Sequence, residues 1–159
     1  MTDDVIVLAA VGAAVGSAVV AGVMLAFSTS VMPGLGQRPA SEAVAAMQAM
    51  NAAILNPLFG LAFGGTAIVC LGLAVTAPFT GDTDGAGWRA AGALLYLVGV
   101  LGVTMAANVP MNEALDAADP DSSSGADMWH GFRRRWTAWN NLRTVAGIAA
   151  GAALIVSVM

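Results

Sequence analysis

Long stretches without a formal charge constrain this chain more than any other feature. Residues 5–37, 43–81, 90–112 and 144–159 contain no Asp, Glu, Lys or Arg. About 20 consecutive apolar helical residues are enough to cross the hydrocarbon core of a bilayer. Only 10% of the 159 residues are charged, whereas a soluble domain usually has about a quarter. We therefore expect an integral membrane protein.

The charge-free stretches predict four membrane-spanning helices in a single domain over residues 1–159, at 5–30, 54–77, 88–109 and 137–158. The predicted fold class is all-α, an integral membrane four-helix bundle with short amphipathic helical extensions on one side. The sequence contains no convincing internal repeat.

Two connections contain large apolar residues at helical spacing and are predicted to form these extensions. The first is 41–55, with Ser41 as its N-cap, and the second is 127–140. Residues 119–125 predict a solvated loop, and residues 80–85 a short turn.

Arginine placement predicts the orientation in the membrane. With four spans, the 1–2 and 3–4 connections share one side and contain Arg38 and the arginines at 133–135, whereas the side of the termini has only Arg89. Basic residues favour the cytoplasm. We expect a multi-pass protein of the cell membrane with cytoplasmic connections and outward termini. The start Met-Thr-Asp-Asp lacks the positive region of a signal peptide, so the first helix is expected to be retained.

Composition also excludes several kinds of site. A net charge of -4 without any lysine is opposite to the basic surface of a nucleic-acid-binding protein. One cysteine, Cys70, excludes paired-cysteine sites, and one histidine, His130, excludes motifs that need two imidazoles. We predict neither a metal site nor a cofactor.

Polar side chains gather where the four predicted helices meet the 1–2 and 3–4 connections. Unpaired amides in hydrocarbon cost several kcal/mol each, so these residues are expected to face inward. An arginine at membrane depth is a functional candidate by default. The candidates are Gln48, Asn51, Asn56, Asn108, Asn112, Glu113, Trp136, Trp139, Asn140 and Arg143.

Helical spacing groups some of these candidates. Trp136, Asn140 and Arg143 are spaced i, i+4 and i+7, which predicts one shared face. Asn108 and Asn112 share a face unless Pro110 breaks the turn.

Each candidate also has a purely structural interpretation. Asn56 before Pro57 is typical of a helix N-cap. The amides can join helices, the tryptophans can lie at the membrane interface, Arg143 can extend to headgroups, and Glu113 can be a solvated helix-end carboxylate. The motif from Gly12 to Gly16 indicates close helix contact, within one chain or in a homo-oligomer.

Four motifs in chain order resemble the anthrone-oxygenase-like family of small four-helix membrane proteins. The motifs are Phe27-Ser28…Val31-Met32-Pro33, Asn51-x4-Asn56-Pro57-x-Phe59, Asn108-x-Pro110-x-Asn112-x2-Leu115 and Trp136-Thr137-x-Trp139-Asn140-x-x-Arg143-Thr144. Members of known activity are similar to cofactor-independent oxygenases that convert an anthrone to an anthraquinone with O₂. The family often has histidine after the Trp-Asn pair, where this chain has Asn141.

The resemblance implies a membrane-bound oxygenase that oxidises an anthrone-like or hydroquinone-like aromatic to a quinone. Carried onto this chain, it implies site residues at Asn56, Asn108, Asn112, Trp136, Trp139, Asn140 and Arg143. Gln48 and Asn51 join the predicted binding set because they enter the same end of the bundle. In this hypothesis Trp136 and Trp139 stack on the rings, while Arg143, Asn140 and Asn108 hold the developing oxyanion.

Glu113 is the nearest carboxylate to the asparagine pair and is the predicted base. The expected partners are a hydrophobic aromatic small molecule and the lipid bilayer. A non-catalytic membrane protein that binds a quinone-like ligand or a partner subunit is the alternative, and a transporter is the third.

Overall fold

The computed structural model describes residues 3–80 and 83–159, and within these ranges every regular element is a helix. The all-α prediction is thereby confirmed. The described helices are α1 (Asp3–Leu35), α2 (Ala40–Ile54), α3 (Pro57–Phe79), α4 (Gly85–Asp116, with helical backbone from Thr83) and α5 (Ser123–Val156). Residues 81 and 82 of the predicted turn at 80–85 lie outside the described residues.

Three of the described helices, α1, α3 and α4, are long and apolar enough to cross a membrane. This finding supports the prediction of a membrane protein. Helix α5 is not among the three, although it has 34 residues. Its first half contains the arginines at 133–135, and its apolar half begins with Asn140, Asn141 and Arg143, which lower its mean hydropathy.

Several predicted boundaries are wrong for identifiable reasons. The predicted spans 5–30 and 88–109 end too early, because the helices continue through Pro33 and Pro110. The extension at 127–140 is not separate, because it is part of the continuous helix α5. Ser41 is not an N-cap: α2 begins at Ala40 after Pro39, without a side-chain cap. The loop after α4 is shorter than predicted, because Ser122 Oγ accepts from Gly125 N–H at 3.0 Å and caps α5.

Wide π-helical turns explain how α1 and α4 remain helical at their prolines. Residues 27–31 and 104–108 are π-helical. The N–H of Met32 donates to Phe27 C=O, and that of Val109 to Thr104 C=O, five residues back in each case. Proline has no N–H and crowds the carbonyl four residues before it. The widened turn immediately before Pro33 and Pro110 therefore lets each helix continue.

Small residues let the helices of the bundle pack closely. Helices α1 and α5 make the most extensive contact, lined by alanines such as Ala10, Ala14 and Ala150. A Cβ on Gly99 would overlap Ala146, and one on Gly16 would overlap the Thr66 side chain. Gly12 has open space instead. The Gly12 to Gly16 motif thus supports close packing inside the chain at Gly16 only.

Helix α2 closes one end of the bundle. It packs against the end of α4 and the first half of α5 through an apolar cluster of Met32, Ala43, Val44, Met47, Leu115, Trp129, Phe132 and Trp136. Gln48 also donates from Nε2 to the carbonyls of Leu115 and Ala118, at 2.9 Å each. These carbonyls lie at and just beyond the C-terminus of α4, where backbone acceptors lack helical partners.

Candidate functional site

A cavity of about 730 Å³ lies beneath α2, at the end of the bundle where the sequence placed its polar residues. All five helices contribute to its wall. Most of the wall is apolar, including Met24, Phe27, Met47, Met50, Ile54, Phe59, Phe63 and Val109. This volume is in the range of pockets that enclose a small organic molecule.

Arg143 provides a buried positive charge on the cavity wall. Its side chain is 6% exposed, and its Nη2 and Nη1 donate to Asn140 Oδ1 at 2.6 Å and to Thr104 Oγ1 at 3.0 Å. Its Nε has no hydrogen-bond partner, and no described carboxylate lies within ion-pair distance of it. A buried charge is usually paired, because desolvation is costly. This guanidinium therefore favours a negatively charged ligand group.

Asn140 fixes the orientation of Arg143. Both hydrogens of its amide are used, since Nδ2 donates to Met24 C=O at 2.6 Å and to Ser28 Oγ at 2.7 Å. Its Oδ1 must then face the guanidinium. Asn140 has no donor left for a ligand, so its geometry fits a positioning residue for Arg143 better than a direct contact to an oxyanion.

Trp136 forms the aromatic part of the wall beside Arg143. The guanidinium carbon lies 5.6 Å from the centre of the Trp136 ring, within the range of a cation–π contact. The indole Nε1 donates to Asn112 Oδ1 at 2.8 Å. Among the described residues, the Asn112 Nδ2 has no partner, so it is available as a second donor on the cavity wall. Trp136, Asn140 and Arg143 share the cavity face of α5, as predicted.

Two carboxylates lie at the mouth of the cavity. Glu113 and Asp116 are exposed and line it, and Asp116 Oδ1 accepts from Asn51 Nδ2 at 2.9 Å. Thr104 and Asp116 are twelve residues apart on α4, which is about 18 Å along the helix axis. The cavity thus has a cationic inner end and an acidic mouth. Sequence reasoning missed Asp116, although its position one turn after Asn112 on the same helix is a signal that could have identified it.

Asn56 lies at the rim of the cavity and caps α3. Its Oδ1 accepts from Phe59 N–H at 3.0 Å, and its Nδ2 donates to Ala53 C=O at 2.9 Å. The structural interpretation of Asn56 as an N-cap before Pro57 is therefore confirmed. The cap leaves Asn56 little hydrogen-bonding capacity for a ligand.

Three predicted site residues do not line the cavity. Gln48 caps the end of α4, and Trp139 is 42% exposed on the outer face of α5. Asn108 is buried, with its Nδ2 3.4 Å from Trp136 C=O and no partner for its Oδ1. Asn108 and Asn112 both contact Trp136, through its carbonyl and its indole N–H, so they share the side of α4 that faces α5, as their spacing predicts, but only Asn112 lines the cavity.

Asn141 stands at the position where the family often has histidine. It is exposed and does not line the cavity either. Within residues 3–80 and 83–159, no three His, Cys, Asp or Glu side chains gather in a way that could hold a metal ion.

Comparison with known proteins identifies one family. The family model described as anthrone oxygenase matches residues 55–153, which is more than half of the chain and covers all of α3 and α4 and most of α5. No curated protein and no solved structure matches the chain.

Proposed function

This chain belongs to the anthrone oxygenase family, and we propose that it is a membrane-bound, cofactor-independent oxygenase. Its substrate in this proposal is an anthrone-like aromatic, which it oxidises to a quinone with O₂. The observation that carries the proposal is the Arg143 guanidinium, which is buried in an apolar cavity without a described carboxylate partner. A hydrophobic ring system that becomes an anion during reaction fits such a cavity.

The reaction starts with removal of a proton from the carbon opposite the anthrone carbonyl. The electron pair left behind delocalises through the ring to the carbonyl oxygen. Arg143 and the free amide of Asn112 stabilise that oxyanion, while Trp136 and Phe27 line the space beside the ring. Preorganised donors of this kind are worth most in a site that excludes water.

Oxygen then reacts with the carbanion directly. One electron passes to O₂, and the two radicals combine to form a carbon–oxygen bond, giving a hydroperoxide after protonation. Loss of water from this hydroperoxide leaves the second carbonyl of the quinone. Overall, the substrate loses two hydrogens and gains one oxygen atom, and the other oxygen atom leaves as water.

Carboxylates at the cavity mouth are the proposed proton acceptors. Glu113 was the candidate from the sequence, and Asp116 lies beside it on the cavity wall. Asn51 donates to one oxygen of Asp116 and leaves the other oxygen free to accept a proton. The proton then passes to the aqueous side, because both side chains are exposed.

We also propose that α5 is the fourth membrane span. From Leu142 to Val156 its exposed side chains are all apolar, including Val145, Ile148 and Ile155. Its polar residues Arg143 and Thr144 are buried inside the bundle. Lipid would therefore meet an apolar surface, although the mean hydropathy of the helix is low. The arginine distribution places α2 and the start of α5 in the cytoplasm in this proposal.

Oxygen consumption by the purified protein tests the proposed function. With an anthrone as substrate, we expect uptake above the protein-free rate. Replacing Arg143 with alanine should lower kcat by about 100-fold or more, as loss of one oxyanion donor does in other enzymes. Arg135→Ala is the matched control, because Arg135 is exposed and does not line the cavity. Equal rates for wild type and Arg143→Ala would contradict the assigned site.

A non-catalytic quinone-binding protein is the second candidate function. It is favoured by the absence of a histidine from the cavity wall, at a site where a basic group has to remove a proton. An aromatic ligand that co-purifies with the wild-type protein, without turnover over a panel of anthrones and hydroquinones, would decide for this function.

A further inference from the structure

A second hollow lies on a different face of α5 from the cavity. It is a groove of about 630 Å³ between the end of α1 and the first half of α5. Its wall contains Ser28, Met32, His130, Arg133, Arg134 and Asn141. Ser28 separates the two hollows, since its hydroxyl accepts from Asn140 on the cavity side.

The groove is basic and has no compensating acid. Arg133, Arg134 and His130 line it, whereas no Asp or Glu does. None of these three side chains forms an ion pair with a described carboxylate. The Arg133 guanidinium lies against Gly36, just after the end of α1, so this side chain reaches across the groove from α5 to α1. Concentrated positive charge of this kind fits a phosphate group.

The surface of α5 shows the depth of the groove in the membrane. Exposed side chains change from the arginines at 133–135 to Trp139 and then to Leu142 and Val145. Arginine followed by tryptophan and then by aliphatic residues is the order expected from headgroups into hydrocarbon. The groove therefore lies at the level of lipid headgroups.

Apolar surface continues from the groove toward the membrane centre. Leu25 precedes Ser28 by one turn of α1, and Val145 follows Asn141 by one turn of α5. Both are exposed, at 46% and 65%. A molecule bound in the groove can thus have an anionic head beside the arginines and a hydrocarbon tail along these side chains.

We infer that this groove binds the phosphate of an anionic phospholipid. Arg133 and Arg134 contact the phosphate oxygens, and the hydroxyl of Thr137 and the amide of Asn141 bond to the glycerol region. The site is independent of the oxygenase proposal, because its residues do not line the catalytic cavity. Either proposal can fail without the other.

Lipid retention in nanodiscs tests the inference. The protein is reconstituted in equal amounts of phosphatidylglycerol and phosphatidylcholine, and the lipids that remain bound after transfer to detergent are counted by native mass spectrometry. We expect the wild type to retain phosphatidylglycerol preferentially. Arg134→Gln should reduce this preference about fivefold, which corresponds to ~1 kcal/mol for one arginine near an anionic lipid. Arg134→Lys should keep most of it.

The matched control is Arg135→Gln, which removes the same charge from a neighbouring exposed residue that does not line the groove. It should reduce the preference by less than twofold. An equal loss in Arg134→Gln and Arg135→Gln would show attraction by general surface charge and overturn the site, provided that both variants unfold at the wild-type temperature. Displacement of phosphatidylglycerol by an excess of inorganic phosphate would indicate a site for soluble anions and would also overturn it.

Discussion

The charge of Arg143 is visible in the sequence, whereas its contacts are visible only in the fold. Its charge beside an apolar stretch marked it as a functional candidate. What it contacts depends on α1 and α4, which are distant in sequence: Thr104 accepts from it, and Asn140 is oriented by Met24 and Ser28. For this reason sequence spacing could group Asn140 with Arg143 but could not show that the donors of Asn140 are already used.

Two tryptophans three residues apart provide a test at the residue scale. Trp136→Phe keeps an aromatic ring in the cavity but removes the indole N–H that bonds to Asn112. We expect a loss of about 1 kcal/mol in unfolding free energy, because one hydrogen bond is lost, together with a several-fold rise in KM as Asn112 loses its orientation. Thermal unfolding and steady-state O₂ uptake measure the two effects.

The control for this prediction is Trp139→Phe. Trp139 is exposed on the outer face of α5 and does not line the cavity, so its KM should stay at the wild-type value. An increase in KM for Trp139→Phe as large as that for Trp136→Phe would favour the original hypothesis, in which both tryptophans stack on the substrate.

At the scale of the helices, charge-free stretches were sufficient to locate α1, α3 and α4 but not to fix their ends. Prolines normally predict a helix boundary. Here the π-helical turns before Pro33 and Pro110 accommodate them. Such turns depend on how a helix packs against its neighbours, and no sequence pattern predicted them. Thr104, the first residue of the turn at 104–108, accepts from Arg143 and lines the cavity, so the widened turn is part of the cavity wall.

Pro110→Ala tests whether this widened turn matters for function. Alanine restores an N–H that can bond to Ala106 C=O, which favours a regular α-helix across 104–110. We expect unchanged or higher thermal stability and at least a tenfold lower kcat, because small displacements of catalytic groups are costly.

Pro120→Ala, in the loop between α4 and α5, is the matched control and should behave as wild type in both assays. Full activity in Pro110→Ala would show that the π-helical turn is a packing feature without a catalytic role.

For the whole molecule, composition predicted a helical membrane protein, and arginine placement predicted its orientation. The cavity could not be predicted in the same way, since five helices and the packing of α2 together define it. Helix α5 illustrates the difference between what composition predicts and what packing determines. Its mean hydropathy understates how apolar its exposed surface is from Leu142 onward, because Asn140 and Arg143 are buried against α1 and α4.

Cysteine labelling tests the proposed four-span arrangement. In a Cys70→Ala background, Ser124→Cys and Met159→Cys place single thiols at exposed positions in the first turn of α5 and after its end. A membrane-impermeant maleimide should label Met159→Cys in intact cells and Ser124→Cys only after permeabilisation. Labelling of both on the same side would show that α5 does not cross the membrane. Labelling on opposite sides in the reverse order would refute the proposed orientation.

Isotope incorporation during a single reaction tests the central claim most directly. Purified protein is supplied with an anthrone under ¹⁸O₂, and the quinone is analysed by mass spectrometry against Arg143→Ala and protein-free samples. We predict one ¹⁸O atom per quinone, formed by the wild type at least 100-fold faster than by Arg143→Ala. Quinone formation at the protein-free rate, or quinone whose new oxygen comes from water, would contradict the proposal of a cofactor-independent oxygenase centred on Arg143.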